Sequence, residues 1–178
     1  MDVSPGDGGT VKVNQTTSSS YPATYDFEKG AYVNLEAIPA SGYLFNNWSG
    51  SLSGNTSPTT IMIDCNKWIT ASFSQIVHTL TLQVSGSGSI TPTVGTHDYS
   101  EGTVVSITAT PDSGWQFNKW TGDVSNPNSA ATIVTMDKDK TVTASFSQVV
   151  SWPLVGGITG GLVLVGLLVV LFVRRRAY

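Results

Sequence analysis

The chain has 178 residues, 12% of them charged, and a formal net charge of −3; that is about half the usual charged share, with room for one ordinary domain or two small ones. The lysines stand apart from one another and the one basic cluster is terminal, Arg174, Arg175 and Arg176, so there is no electrostatic footprint for nucleic acid and that function is excluded. Cys65 is the single cysteine, which excludes an intrachain disulfide and a thiolate-built metal site, and it reads as a small, partly buried strand residue.

Met1 to Gly9 holds neither a basic stretch nor an apolar run and does not read as a secretory signal peptide. Asn14 to Ala23, rich in Thr and Ser, reads as a long loop. Val33, Leu35 and Ala37 then alternate with Asn34 and Glu36, the period of a half-buried strand. In Gly42 to Gly50, GYLFNNWSG, two aromatics stand two apart and a Trp follows three further on. That spacing breaks the alternation and predicts a bend or bulge. Ser49 to Ser57 reads as a loop, and Ile69, Ala71 and Phe73 form the strand that closes the unit.

The remainder before Val149 repeats the same order. Laying Gly30 on Gly102 also lays Pro39, Gly42, Phe45, Trp48 and Gly50 on Pro111, Gly114, Phe117, Trp120 and Gly122. After a one-residue insertion Ile69–Gln75, ITASFSQ, falls on Val142–Gln148, VTASFSQ, so the chain is an internal duplication. Val105, Ile107 and Ala109 repeat the alternating strand, and Thr121 to Ser129 the loop. No Gly or Pro separates Phe73 from Leu80, which predicts a stiff joint. The expected domains are residues 1–76, 77–150 and 151–178.

In units of this size the aromatic rings supply much of the core, each removing about 150–250 Å² from water. The structural core is therefore expected at Tyr43, Phe45, Trp48 and Phe73, and at Trp115, Phe117, Trp120 and Phe146. An exposed carbohydrate-binding platform is the alternative use of these rings. Recurrence of the spacing with different intervening polar residues favours packing.

Catalytic chemistry is not expected. His78 and His97 fall at unrelated positions of the repeat, one at the joint and one before Asp98, and no nucleophile and base pair up. The DKDK run with Asp137 and Asp139 lacks the glycine and distal glutamate of a calcium loop and reads as a turn before the last strand. No cofactor and no metal site is expected. Asn14, Asn47 and Asn55 each begin an Asn-x-Ser/Thr triplet, a glycosylation acceptor on a surface protein.

Residues 154–173 run about twenty long without a charge, roughly 30 Å as a helix and enough to span a bilayer. Arg174, Arg175 and Arg176 follow at once, which marks the cytoplasmic side and places the N-terminal part outside. Trp152 and Tyr178 read as interfacial anchors. Gly156 and Gly160, with Gly157 and Gly161, form small-xxx-small pairs that let helices approach closely, so a helix–helix partner or a homodimer is one reading of them, and glycine simply tolerated near the end of a membrane helix is the other.

The doubled pattern is a glycine-rich turn (Gly6, Gly8 and Gly9; Gly86 and Gly88), then G-x-x-V-x-(L/I)-x-A-x-P-x-x-G-(Y/W)-x-F-x-x-W-x-G, then a late strand ending T-A-S-F. It resembles the divergent InlB-type B-repeat family of bacterial and archaeal surface proteins, over nearly all of the chain before Val149. The resemblance implies a β-grasp-like or related antiparallel unit that serves as a tandem stalk or interaction module and is not an enzyme. Leu80, Leu82 and Val84 alternate in the first strand of the second copy, where the first copy offers only Met1, Asp2 and Val3. The first strand is thus expected to be cut short, with Met1 a late or misplaced start and more chain upstream.

The reading is an all-β chain of two tandem small antiparallel β-grasp-like repeats and one C-terminal transmembrane helix. It describes a single-pass cell-membrane protein with its N-terminus outside, displaying a stalk or adhesion module to an extracellular protein or glycan ligand. The alternative is an accessory subunit whose helix packs on membrane partners while the repeats cap them. A third reading, a sorting signal for surface transpeptidases, lacks an LPxTG-like motif ahead of the apolar run.

Overall fold

The computed structural model describes residues 1–150; the expectations placed on Trp152, on the 154–173 span with Gly156 and Gly160, and on Arg174, Arg175 and Arg176 lie outside the described residues. The elements among residues 1–150 are all strands, and no helix there is long and apolar enough to cross a membrane. The first copy holds β1 (Asp2–Ser4), β2 (Gly9–Val13), β3 (Thr16–Thr17), β4 (Tyr32–Pro39), β5 (Tyr43–Gly50), β6 (Thr59–Met62) and β7 (Ile69–Gln75). The second holds β8 (Val77–Ser85), β9 (Gly88–Thr91), β10 (Gly95–Ser100), β11 (Val104–Pro111), β12 (Trp115–Thr121), β13 (Ala131–Thr135) and β14 (Lys140–Gln148).

Each copy folds as two small sheets around its own core. The sheets are β1-β7-β5 and β3-β2-β4-β6 in the first unit, and β10-β8-β14-β12 and β13-β11-β9 in the second. Alternation dictates what each strand buries: Val33, Leu35 and Ala37 on β4 meet Ile69, Ala71 and Phe73 on β7 in one core. Val105, Ile107 and Ala109 on β11 meet Val142, Ala144 and Phe146 on β14 in the other. A strand of period two has one apolar face, and two such faces from different sheets exclude water between them.

The expectation of an antiparallel β-grasp-like unit requires correction. The first strand of each unit runs parallel to its last, β1 on β7 and β8 on β14. No helix among the described residues lies across a sheet; the second sheet covers the apolar face that a helix would otherwise have to cover. Two smaller expectations also change. The Asn14 to Ala23 loop contains β3, paired with β2, and the Tyr21 hydroxyl donates to the Val11 carbonyl while accepting from the Val11 amide at 2.6 Å. Cys65 is exposed and lies between β6 and β7, outside any strand.

The expected irregularity in the aromatic motif is a bulge in both units. Pairing of β5 with β7 shifts between Phe45 and Asn47, and pairing of β12 with β14 between Phe117 and Lys119. One extra residue restores the inward direction that strict alternation would have denied Trp48 and Trp120. Their backbone amides leave the ladder for the following loop, donating to Gly54 at 2.7 Å and Pro127 at 2.8 Å. The glycine-rich turn has a packing reason as well. A Cβ at Gly88 would lie 2.6 Å from Cζ of Phe146, and one at Gly9 would lie 2.8 Å from the Phe73 ring, so only a bare backbone fits beneath these rings.

Ile76 alone separates β7 from β8. Its amide donates to the Gly42 carbonyl at 2.7 Å, and its carbonyl accepts from the Glu101 amide at 2.9 Å. The joint is thereby tied to a turn of each unit.

Candidate functional site

The aromatic motif sits inside the units. Trp48 and Trp120 are each 1% exposed, and their indole N–H groups donate to Thr56 and Ser129 carbonyls, both at 2.9 Å. Phe73 and Phe146 are buried beside them, while Tyr43, Phe45, Trp115 and Phe117 are partly buried along the core margin. Phe45 meets Trp48 and Phe73 at centroid distances of 5.0 and 5.7 Å, and Phe117 meets Trp120 and Phe146 at 5.6 and 6.1 Å. These tilted and edge-on contacts are what packed aromatics prefer. A flat sugar-stacking platform would need the ring faces in solvent, and the two tryptophans offer none.

Charge gathers at the turn before the last strand. Lys140 is 5% exposed at its side chain and reaches Asp123 at 2.7 Å and Asp137 at 2.8 Å. Hydrogen bonds to Asp123 and then to Asp137 push the Lys140 pKa up, and the same Lys140 contact pulls Asp137 down. In the first unit Lys67 pairs with Asp64, and hydrogen bonds from Lys67 and then Cys65 hold the Asp64 carboxyl at about 2. Asp139 accepts from the Thr79 amide at 2.8 Å and lies 3.8 Å from His78 Nδ1. The DKDK acids are thus engaged in closing a turn. No three His, Cys, Asp or Glu side chains converge to hold a metal among the described residues. Sequence reasoning found the turn but missed the buried lysine; the signal was Lys67 and Lys140 standing at the same place in both copies.

A cleft of about 520 Å³ opens in the first unit. One wall is the segment Thr24–Phe27, and the other is Lys67–Ile69 at the start of β7; Leu35, Ile61 and Ile63 form an apolar floor. Among the described residues the backbone of Thr24–Phe27 makes no hydrogen bond to other backbone. Tyr25 Oη is buried without a hydrogen-bond partner. No single motif marks this cleft in the sequence; it arises where the two copies differ.

Three comparisons with known proteins bear on these features. The family described as the divergent InlB B-repeat domain matches residues 1–77 and again residues 78–150. No curated protein and no solved structure matches the chain.

Proposed function

The chain belongs to the divergent InlB B-repeat family through both of its units, and on that premise we propose that it is a membrane-anchored cell-surface protein whose repeats act as a stalk and interaction module and not as an enzyme. The observation that carries this reading is the joint. Ile76 is a one-residue connection hydrogen-bonded to a turn of each unit, which suits a spacer that holds its far end away from an anchor. Burial of the repeated aromatics is in keeping with it, since the motif is used for packing and leaves strand edges and loops for contact. The uncharged run 154–173 and the arginines after it supply the anchor and its orientation in this reading.

Cys65 provides the test, because it is the only cysteine and is exposed. A membrane-impermeant maleimide applied to intact cells should label Cys65. A Cys65→Ser chain carrying Ala177→Cys should label only after permeabilisation. Labelling of Cys65 that requires permeabilisation rejects the proposed topology.

A further inference from the structure

In the second unit the chain enters on β8 and leaves on β14, and these two strands lie side by side and parallel through six consecutive pairs, from Leu80 opposite Lys140 to Ser85 opposite Ser145. They are also the two inner strands of the sheet β10-β8-β14-β12, so each has an antiparallel neighbour on its far side. Because the two strands point the same way, β8 receives the chain at one end of the pair and β14 releases it at the other. A pull on the two ends of the unit therefore acts along the strands in opposite senses and slides β8 against β14.

That is the direction in which paired strands resist most. Sliding loads every hydrogen bond between the two strands together, whereas peeling a pair from one end loads the bonds one after another. The side chains oppose the slide as well. Leu80 and Leu82 on β8 and Val142 and Ala144 on β14 are all buried in one core, and a slip of one residue, about 3.3 Å, would turn the buried set of the moving strand to the wrong face. Across the pair the Thr79 amide donates to the Asp139 carboxylate at 2.8 Å, and the Thr143 hydroxyl donates to Gln83 Oε1 at 3.3 Å. The start of β14 is held in addition by Lys140, whose ammonium reaches Asp123 and Asp137 at 2.7 and 2.8 Å, so a pull at Gln148 meets a strand pinned at its other end.

We propose that the β8–β14 pair is a mechanical clamp, and that the second unit has the further function of bearing tension along the chain without unfolding. This deepens the stalk reading and rests on it for the source of the load, since a stalk held at one end and engaged at the other is pulled along its chain. The clamp itself lies within residues 77–148 and works on either side of a membrane, so its failure and that of the proposed topology are separable.

The test is single-molecule force spectroscopy on the full chain in detergent, carrying Cys65→Ser and held by handles on two introduced cysteines. Val77→Cys with Val149→Cys, both at exposed positions, loads the unit end to end. Val77→Cys with Glu101→Cys pulls on neighbouring strand ends, because Val77 lies opposite Ser100, and peels β8 from β10. The first unit lies outside the loaded path in both chains. At one pulling rate the end-to-end chain should rupture at a force about twofold or more above that of the peeled chain, because forced unfolding reads the unfolding barrier along the pull. Its rupture should release residues 77–149 in a single step of roughly 200–250 Å of extended chain. A smaller ratio of the two forces, or a shorter first step that frees β14 alone, overturns the proposal.

Discussion

Replacing Trp120 with Phe should destabilise the second unit by about 3 kcal/mol and leave the first unaltered. The indole is 1% exposed and donates to the Ser129 carbonyl at 2.9 Å. Loss of that donor strands a part-buried acceptor, which costs about 1–3 kcal/mol, and the vacated ring adds roughly 1 kcal/mol because the surrounding strands cannot fully close on it. A unit of this length has a total stability of only about 4–11 kcal/mol at 0.05–0.15 kcal/mol per residue, so the variant should remain folded with a much reduced margin. At about 4–8 °C per kcal/mol for a domain of this size, the transition of the second unit should fall by roughly 12–24 °C. Differential scanning calorimetry resolves the two units once their transitions separate, and amide exchange on β11 and β14 against β4 and β7 assigns each loss. The two cores share no buried residue, so the first unit should keep its transition. Equal loss in both units would refute the claim of separate cores; no loss in either would refute the structural role of the indole.

Gly88→Ala should cost about 1–3 kcal/mol, because the added Cβ would lie 2.6 Å from Cζ of Phe146 and the ring must move in a packed core. Gly102→Ala meets no atom within 4 Å and carries only the strain of φ +80, about 1–2 kcal/mol; urea midpoints ranking Gly102→Ala as the worse variant would contradict the packing account of the glycine-rich turn. The Lys140 cluster should leave a pH signature with two limbs. Lys140 is raised from 10.5, so its contribution is fully present below 10.5 and disappears as pH rises through the raised value. Asp137 is lowered from 3.8, so its contribution is present above 3.8 and disappears as pH falls through the lowered value. Thermal midpoints of the second unit measured across pH should show both limbs in the parent chain, and Lys140→Met should abolish the alkaline limb and weaken the acid one; an unchanged alkaline limb in that variant would rule out Lys140 as its source.

Much of the local structure was legible in the residues themselves. Val33-Leu35-Ala37 and Val142-Ala144-Phe146 state which side of a strand faces apolar neighbours, because side-chain direction alternates with a fixed period and needs no knowledge of the partner. The interval from Phe45 to Trp48, repeated from Phe117 to Trp120, announced a bulge for the same reason: both rings seek the core, and strict alternation cannot deliver both. The buried Lys140 was hidden because its partners, Asp123 and Asp137, come from opposite ends of the loop and β13 region, and a lysine beside aspartates in sequence reads equally well as a solvated turn.

The sequence by itself determined the duplication, the strands whose alternation is plain (β4, β7, β8, β11 and β14), the bulges and the rings that pack in and around each core, all of which depend on short-range periodicity and on the self-similarity of the two halves. Only the tertiary structure decided which strands pair. That the first strand of each unit lies parallel to its last, that each unit divides into two sheets, and that Thr24–Phe27 faces Lys67–Ile69 across an open cleft are facts about residues tens of positions apart. Alternation specifies the buried face of a strand but is indifferent to the identity and direction of its neighbour, which are set by how all the strands together close their hydrogen bonds around one core.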